Sequence, residues 1–314
     1  MNISVVVPVY KSERTLPDLV AALKPVLDEV AHEYELILVN DGSPDNSKRI
    51  MRQLAITHAW IRAINFKRNF GQHSALLCGM RAARYEITVT LDDDLQNPPD
   101  QLPKLLAKLE EGYDVVYGVP PVQQHGLARN LAGDITKLVL QSAMGADCAS
   151  KIRSFRVFRT NLRDAFADYR SPSVMIDVLL SWGTKNFAWV PIRHDERQHG
   201  ASNYTLAKLV THALNMITGF TTMPLRIATI NGFLFILFGL GVLAFVIVRY
   251  LIAGECVQGF PFLASIIAIF AGAQLFSLGI MGEYMARMYT KSIDRPQYVV
   301  CEEEEESRVP AKMR

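Results

Sequence analysis

The sequence has few of the features that define several common protein classes. Its 314 residues include only four cysteines, Cys78, Cys148, Cys256 and Cys301, with no C-x-x-C pair and no adjacent histidine cluster. This spacing argues against both a zinc site and a disulfide framework, and it favours a reducing compartment. The formal net charge is only +2. Such a balance does not indicate a nucleic-acid partner.

Several nucleotide- and metal-binding motifs are also missing. No G-x-G-x-x-G follows the first apolar run, and no G-x-x-x-x-G-K-[ST] occurs anywhere, so the dinucleotide-binding and P-loop classes lose their main support. The acidic stretch "DDDLQN" lacks the glycine and glutamate of a calcium loop. The N-terminus opens directly into "ISVVVPVY", which predicts a first strand and not a secretory signal.

Up to about residue 118, short β-branched runs alternate with segments of helical spacing. The runs are "ISVVVPVY", "YELILVND", "IRAINFK" and "EITVTLDDD". The alternation predicts an α/β fold with a mainly parallel, doubly wound sheet, because parallel strands need crossover helices. Polar residues follow each of these runs, and the carboxyl ends of parallel strands share one edge. The sequence therefore predicts a single convergent site there.

The strongest of these polar clusters is "TLDDDLQNPP". Asp92 and Asp94 are spaced i and i+2, so both side chains point to one side of an extended segment and can meet one divalent cation. Gln96 could add an oxygen ligand. Phosphates complete the shell of Mg²⁺ or Mn²⁺ in many such sites. The alternative for the three aspartates alone is a solvated acidic loop.

A second cluster, "VNDGSPDNS", places Asp41 at a strand end before a turn. Its carboxylate could accept a hydrogen bond from a base N–H or a ribose hydroxyl. The competing interpretation is a turn or capping residue. The sequence leaves both open.

Two long apolar runs, at about 227–252 and 260–285, predict a transmembrane hairpin. The alternative is a pair of buried core helices. Arg226 precedes the first run and Arg287, Lys291 and Arg295 follow the second, whereas the connecting loop carries only Glu255. The positive-inside rule therefore predicts a multi-pass protein of the cytoplasmic (inner) membrane, with the N-terminal α/β domain and both termini in the cytoplasm.

The predicted organisation has four parts. Residues 1–200 form a cytoplasmic α/β domain, and 201–226 form amphipathic helices that lie in the membrane interface or pack on that domain. Residues 227–286 form the hairpin, and 287–314 form a tail that ends in a solvated charge run.

Four stretches in order, "VVVPVYKSE", "LVNDGSPDNS", "KRNFGQHSALLCGM" and "TLDDDLQNPP", resemble the family 2 inverting glycosyltransferases of GT-A fold. The hairpin, with "TTMPLR" before it and "GEYMARMYT" at its end, narrows the resemblance to the membrane-bound polyprenyl-phosphate glycosyltransferases. These include bacterial undecaprenyl-phosphate glucosyl and formamido-arabinose transferases and, more distantly, dolichyl-phosphate mannose synthase. The match runs from Ile3 to about Val300.

The resemblance implies a nucleotide-sugar donor, a polyprenyl-phosphate acceptor, a divalent metal (Mg²⁺ or Mn²⁺) and roles for individual residues. Asp92 and Asp94 would hold the metal with Gln96, and Asp94 would act in catalysis. Arg129 would bind the acceptor phosphate, Arg197 matches another basic position of the family, and both would act in catalysis; the alternative for either arginine alone is a solvated surface charge. The implied nucleotide-sugar residues are Pro8, Tyr10, Glu13, Asp41, Arg68, Asn69 and Asp93. Some relatives form tetramers, so the resemblance also admits a homo-oligomer.

The acceptor side departs from the family pattern. Many relatives have arginine where this chain has Pro120, serine at Gly133, aspartate at Ser150 and lysine at Asn203. Basic residues that could compensate are Lys137, Lys151, Arg153 and Arg156. Two alternative functions therefore stay open: transfer to another membrane acceptor, such as a glycan or diacylglycerol, and a non-catalytic nucleotide-sugar-binding partner of an export or assembly complex.

Overall fold

The structure is a computed structural model, and it describes residues 1–120, 151–171, 174–195, 222–253 and 259–301. The chain divides into two compact units. The first comprises Met1–Tyr204 together with Asp294–Arg314, and the second comprises Thr205–Ile293. The second unit therefore interrupts the first along the chain.

The first unit alternates strands and helices through its first half. β1 spans Asn2–Val9, α1 Leu16–Val30, β2 Glu33–Asn40, α2 Ser47–Thr57, β3 Ile61–Asn65, α3 Gln72–Ala82, β4 Ile87–Thr90 and α4 Leu102–Glu110. It continues with β5 (Val115–Val119), β6 (Arg156–Arg159), α5 (Ile176–Gly183) and β7 (Phe187–Pro191). Short 3-10 helices occupy Pro99–Gln101 and Thr160–Phe166.

The seven described strands form one sheet in the order β3-β2-β1-β4-β6-β5-β7. β1 pairs in parallel with β2 and β4, β2 with β3, and β5 with β7, whereas β6 runs antiparallel to both β4 and β5. The prediction of an α/β fold with a mainly parallel sheet is confirmed. The register places Val9 beside Asn40 and Asn40 beside Asn65, so these strands end level with one another.

Side chains of β1 alternate between the two faces of the sheet, as the pleat requires. Val5 and Val7 belong to a core cluster with apolar residues of α1 and α4. Val6 points to α3, where an added Cβ on Gly79 would lie 2.2 Å from its Cγ1. Helices therefore cover both faces, and Gly79 lets α3 lie close to the strands.

Arg156 of β6 is a buried charge at the junction of three strands, with 2% of its surface exposed. Its guanidinium donates to the Asp177 carboxylate through Nη1 and to Thr90 Oγ1 through Nε at 3.0 Å. The Tyr117 hydroxyl donates to the same carboxylate at 2.9 Å. Burial and the ion pair thus hold the charge of Arg156, one of the four basic residues considered for the acceptor side, inside the fold.

The second unit contains two long helices, α6 (Met223–Ala253) and α7 (Phe260–Ser292). Phe270 of α7 packs against Phe235 and Phe238 of α6, at ring-centroid distances of 5.4 and 6.5 Å. Within α6, the 26 residues Pro224–Arg249 are long and apolar enough to cross a membrane, and their most apolar window has a mean hydropathy of 2.5 with none of it buried.

The boundaries of the second unit differ in part from those predicted. The predicted span 227–252 lies within α6, and it is the one helix among the described residues that meets this length and hydropathy test. The predicted span 260–285 lies in α7, which continues to Ser292. Residues 201–221, where most of the amphipathic segment was expected, and the acidic end 302–314 lie outside the described residues.

We expect the buried Arg156–Asp177 pair to be needed for stability. Asp177→Leu leaves an uncompensated buried charge and should cost roughly 3–5 kcal/mol, whereas the double variant Arg156→Met/Asp177→Leu should cost less because it removes both charges. Thermal unfolding of the detergent-solubilised protein, followed by tryptophan fluorescence, measures the order of the Tm values. A double variant that melts below the single one would contradict this interpretation.

Candidate active site

A cavity of about 270 Å³ opens at the carboxyl ends of β1, β2 and β4. Ligands of open α/β sheets bind beyond this edge. The structure thus brings together polar residues from four separate stretches of sequence. The cavity is lined by Pro8, Val9, Tyr10, Asp41, Asn69, Gly71, Gln72, Asp92, Asp93 and Asp94.

Asp41 lies on the cavity wall, where it is 3% exposed. One carboxylate oxygen accepts from the Phe70 N–H at 2.6 Å, and the other accepts from the Gly71 N–H at 2.9 Å. Burial raises the pKa of Asp41, although the two backbone hydrogen bonds act in the opposite direction. Asp41 therefore fixes the loop after β3, and each of its oxygens keeps a second lone pair for a ligand.

Gly42 allows this loop to come close. Its φ is +61°, and an added Cβ would lie 2.3 Å from the carbonyl carbon of Arg68. No side chain fits in that space. The turn after β2 and the loop after β3 are thus packed directly against each other.

Asp93 accepts a hydrogen bond at its Oδ2 from the hydroxyl of Ser12. Burial, together with the charges of Asp92 and Asp94, raises the pKa of the Asp93 carboxyl to about 7, although the hydrogen bond from Ser12 acts in the opposite direction. A bound cation would oppose that shift, because it favours the ionised form. Sequence reasoning missed Ser12, although its place in "YKSE" beside Tyr10 and Glu13 was a usable signal.

Asp92 accepts a hydrogen bond from Gln72 Nε2 at 2.7 Å. Gln72 is the first residue of α3 and also lines the cavity. The sequence analysis assigned it no role. The available signal was its position at the start of the helix that follows the polar loop after β3.

Gln96 is not among the residues that line the cavity. Its backbone N–H donates to Asp94 Oδ1 at 3.2 Å, and its carbonyl accepts from the Asp195 N–H at 2.9 Å. Leu95 between them has φ +58°, so the chain turns sharply here. Gln96 thus supports Asp94 through the backbone.

Glu13 and Arg68, predicted at the nucleoside, also lie off the cavity wall. Glu13 accepts from the backbone N–H and the side-chain amide of Asn46, at 3.0 and 3.1 Å, at the start of α2. The Arg68 guanidinium lies 4.2 Å from the centre of the Phe70 ring. The two arginines predicted for catalysis on the acceptor side lie outside the described residues; they are Arg129 and Arg197.

The donor set of the cavity fits a hard divalent cation. Within the ranges that the structure describes, no group of three or more His, Cys, Asp or Glu side chains is arranged to hold a metal. Asp92 and Asp94 nevertheless both line the cavity. Two carboxylates completed by phosphate oxygens and water are a common shell for Mg²⁺ and Mn²⁺.

Two curated relatives align over nearly the whole chain. The undecaprenyl-phosphate 4-deoxy-4-formamido-L-arabinose transferase of Pseudomonas fluorescens (strain Pf0-1) is 33% identical over 303 residues, covering 95% of this chain and 88% of that protein. The enzyme of the same description from Pseudomonas savastanoi pv. phaseolicola is 34% identical over 301 residues, covering 95% and 89%.

Among solved structures, glucosyl-3-phosphoglycerate synthase from Mycobacterium tuberculosis, crystallised with Mn²⁺, UDP-glucose and phosphoglyceric acid, superposes with a TM-score of 0.53 at 20% identity, covering 69% of this chain and 77% of that one. At that identity the likeness concerns the fold alone, and it confirms the predicted GT-A type. The family model for "Glycosyl transferase family 2" matches residues 4–166, which is more than half of the chain. With a matching family model and relatives at 33–34% identity, this chain belongs to glycosyl transferase family 2.

Proposed function

We propose that this chain transfers a sugar from a nucleotide-sugar donor to a polyprenyl phosphate of the undecaprenyl type, with inversion at the anomeric carbon. In this reaction a phosphate oxygen of the acceptor forms a bond to the anomeric carbon while the bond from that carbon to the donor's diphosphate breaks. The observation that carries the proposal is the cavity, which gathers Asp41, Asp92, Asp93 and Asp94 at one sheet edge. The two relatives whose names describe undecaprenyl-phosphate transferases support the choice of acceptor.

The donor half of the reaction follows from the cavity walls. We place the nucleoside against Pro8, Tyr10 and Asp41, where a buried carboxylate with free lone pairs can accept from a base or ribose group. Asn69 and the backbone of Gly71 border the same space. Asp93 would face the ribose. Glu13 and Arg68 would act from behind the wall, through the start of α2 and the loop after β3.

The diphosphate of the donor would lie by Asp92 and Asp94, together with a divalent cation, Mg²⁺ or Mn²⁺. When bound, such a cation neutralises charge on the departing nucleoside diphosphate as a Lewis acid. The chain's part is to hold the two carboxylates in place: Gln72 fixes Asp92, and the Gln96 N–H fixes Asp94. The solved relative that contains Mn²⁺ and UDP-glucose supports this assignment.

The acceptor needs no strong general base. A phosphate monoester has a second pKa of about 6, so its oxygens are already anionic near neutral pH. Catalysis then depends on aligning that phosphate with the anomeric carbon and on cations that tolerate two phosphates in one cleft. We assign this task to Arg129 and Arg197.

Membrane anchorage would bring the active site to its lipid substrate. The exposed apolar surface of α6 supports insertion, and we propose that α6 and α7 form a hairpin that leaves the catalytic unit and both termini on the cytoplasmic side. Two helices bury little surface on their own. Association of several copies through the hairpin is part of this proposal.

A second acceptor class has specific support. Pro120 follows β5 at a position where the family resemblance implies arginine, and Arg156 is buried in its ion pair with Asp177, so neither adds a positive charge to the acceptor side. The competing candidate is therefore transfer to an uncharged membrane acceptor such as a diacylglycerol.

The test is release of nucleoside diphosphate by the purified full-length protein with undecaprenyl phosphate and Mg²⁺ or Mn²⁺, across UDP-, GDP- and dTDP-sugars. Lipid-dependent release, with a product that mild acid hydrolyses, is expected for a phosphate-linked sugar. An acid-stable product would favour the second acceptor class. Donor binding without release would favour a non-catalytic partner.

Asp94→Asn should lower kcat by at least about 100-fold, because an amide cannot replace the carboxylate beside the diphosphate and its cation. Turnover with the donor that the wild type uses is the measurement. Asp28→Asn is a matched control, since Asp28 is an exposed carboxylate paired with Lys24 on α1. Full activity of the Asp94 variant would contradict the mechanism.

Chelation with EDTA should abolish turnover, and added Mg²⁺ or Mn²⁺ should restore it. The reason is that the cavity is lined by four aspartates and, among its described lining residues, by no lysine or arginine that could balance the diphosphate charge. Binding of the donor nucleotide, measured by calorimetry before and after chelation, should weaken in parallel. Undiminished turnover in EDTA would exclude the cation from the reaction.

Gly42→Ala should raise the donor KM by roughly tenfold, because its Cβ must displace the backbone of Arg68 and Asn69, which borders the cavity. Gly112→Ala is a strict control. Gly112 also has a positive φ, +104°, but an added Cβ there meets no atom within 4 Å. Equal effects of the two substitutions would mean that backbone strain alone, and not the site, explains the result.

A further inference from the structure

The chain returns to the first unit after α7, and residues Pro296–Cys301, here called the return segment, lie along β3. The Lys67 N–H donates to the Val299 carbonyl at 3.0 Å, and the Cys301 N–H donates to the Asn65 carbonyl at 2.7 Å. Val300 forms an antiparallel bridge with Phe66. Because β3 is the edge strand of the sheet, the return segment covers the end of that edge.

Side chains anchor the return segment as well as its backbone. Gln297 is 7% exposed; its Oε1 accepts from Arg81 Nη1 at 2.8 Å, and its Nε2 donates to the Ser171 carbonyl at 2.9 Å. The Tyr298 ring stacks on Phe66 at 5.1 Å between centroids and 4° between planes. A buried amide with both ends satisfied marks a specific contact.

The contacts continue from the return segment to the cavity wall. Phe66 packs edge-on against Phe70, with 5.7 Å between ring centroids. The Phe70 and Gly71 amides donate to Asp41, and Asn69 and Gly71 line the cavity. Tyr298 therefore touches one side of the loop 66–71, and the other side of that loop borders the cavity.

We propose that the return segment is a positioning element of the donor pocket, with Tyr298 as its central residue. This inference rests on the proposed function, since it takes a nucleotide as the occupant of the cavity. Without the Tyr298 ring, Phe66 loses its stacking partner and the loop 66–71 gains conformational freedom. Donor binding must then supply the free energy that orders the loop.

The kinetic signature follows from this placement. The loop borders the donor pocket, while Tyr298 itself touches neither the cavity wall nor the carboxylates assigned to the diphosphate. Its loss should therefore weaken donor binding and leave the chemical step nearly unchanged. A general loss of folding would instead lower the amount of active protein, and thus the apparent kcat.

The experiment uses three full-length variants: Tyr298→Ala, Tyr298→Phe and Tyr113→Ala. Tyr298→Ala should raise the donor KM by roughly tenfold with kcat within about twofold of wild type. Tyr298→Phe keeps the stacked ring and should restore the wild-type KM. Tyr113→Ala removes another part-buried tyrosine ring, which packs on the core before β5, and should leave the donor KM unchanged. An unchanged donor KM in Tyr298→Ala, or an equal rise in Tyr113→Ala, would overturn the proposal.

Hydrogen exchange provides a second readout that does not need turnover. Peptides covering 66–71 should exchange roughly tenfold faster in Tyr298→Ala than in wild type, without any nucleotide, because a freer loop breaks the hydrogen bonds of the Phe70 and Gly71 amides to Asp41 more often. Unchanged exchange would overturn the proposal. If the wild type turns over none of the UDP-, GDP- or dTDP-sugars, the proposed function fails, and this exchange measurement still decides whether the return segment holds the loop.

Discussion

Parallel hydrogen bonding of β1 with β2 and β4 is the constraint on which the rest of the first unit depends. In a parallel ladder all strands point the same way, so the polar residues that follow each strand must meet at one edge. Tyr10, Asp41 and Asp92 are separated by about thirty to fifty positions in the sequence, yet they line one cavity. The crossover helices on both faces bury the apolar sides of these strands and leave that edge open.

The cavity concentrates negative charge, and hydrogen bonds from neutral groups hold its carboxylates in place. Asp41 accepts two backbone amides, Asp92 accepts the amide of Gln72, and Asp93 accepts the hydroxyl of Ser12. These donors are neutral, so they orient the carboxylates without cancelling their charge. Burial, together with repulsion from Asp92 and Asp94, raises the pKa of Asp93 to about 7. A cation with its phosphates would complete this arrangement.

The helical unit begins and ends within the sequence of the catalytic unit. The chain therefore connects the two units at both ends of the helical unit. Here residues 294–301 belong to the first unit again, and their hydrogen bonds extend the sheet beside the loop that Asp41 holds. Within the segment predicted as a tail from 287 onward, residues 294–301 contain a β-bridge, a buried glutamine and a stacked tyrosine.

Local periodicity and runs of like residues were enough to predict the α/β class, the succession of the first four strands along the chain, the carboxylate cluster and one long apolar helix. The motifs in the sequence also placed the chain in its family. Which polar residues line the cavity, in contrast, depends on the tertiary structure. Glu13, Arg68 and Gln96, predicted in or beside the site, are not among the residues that line the cavity. Ser12 and Gln72 instead donate to its aspartates across up to about eighty positions of sequence. The burial of Arg156 against Asp177 was likewise not visible in the sequence, where Arg156 is simply one of several basic residues. The physical reason is that a side chain's charge and donors are visible in the sequence, but its burial and its partners exist only once distant strands have been brought together.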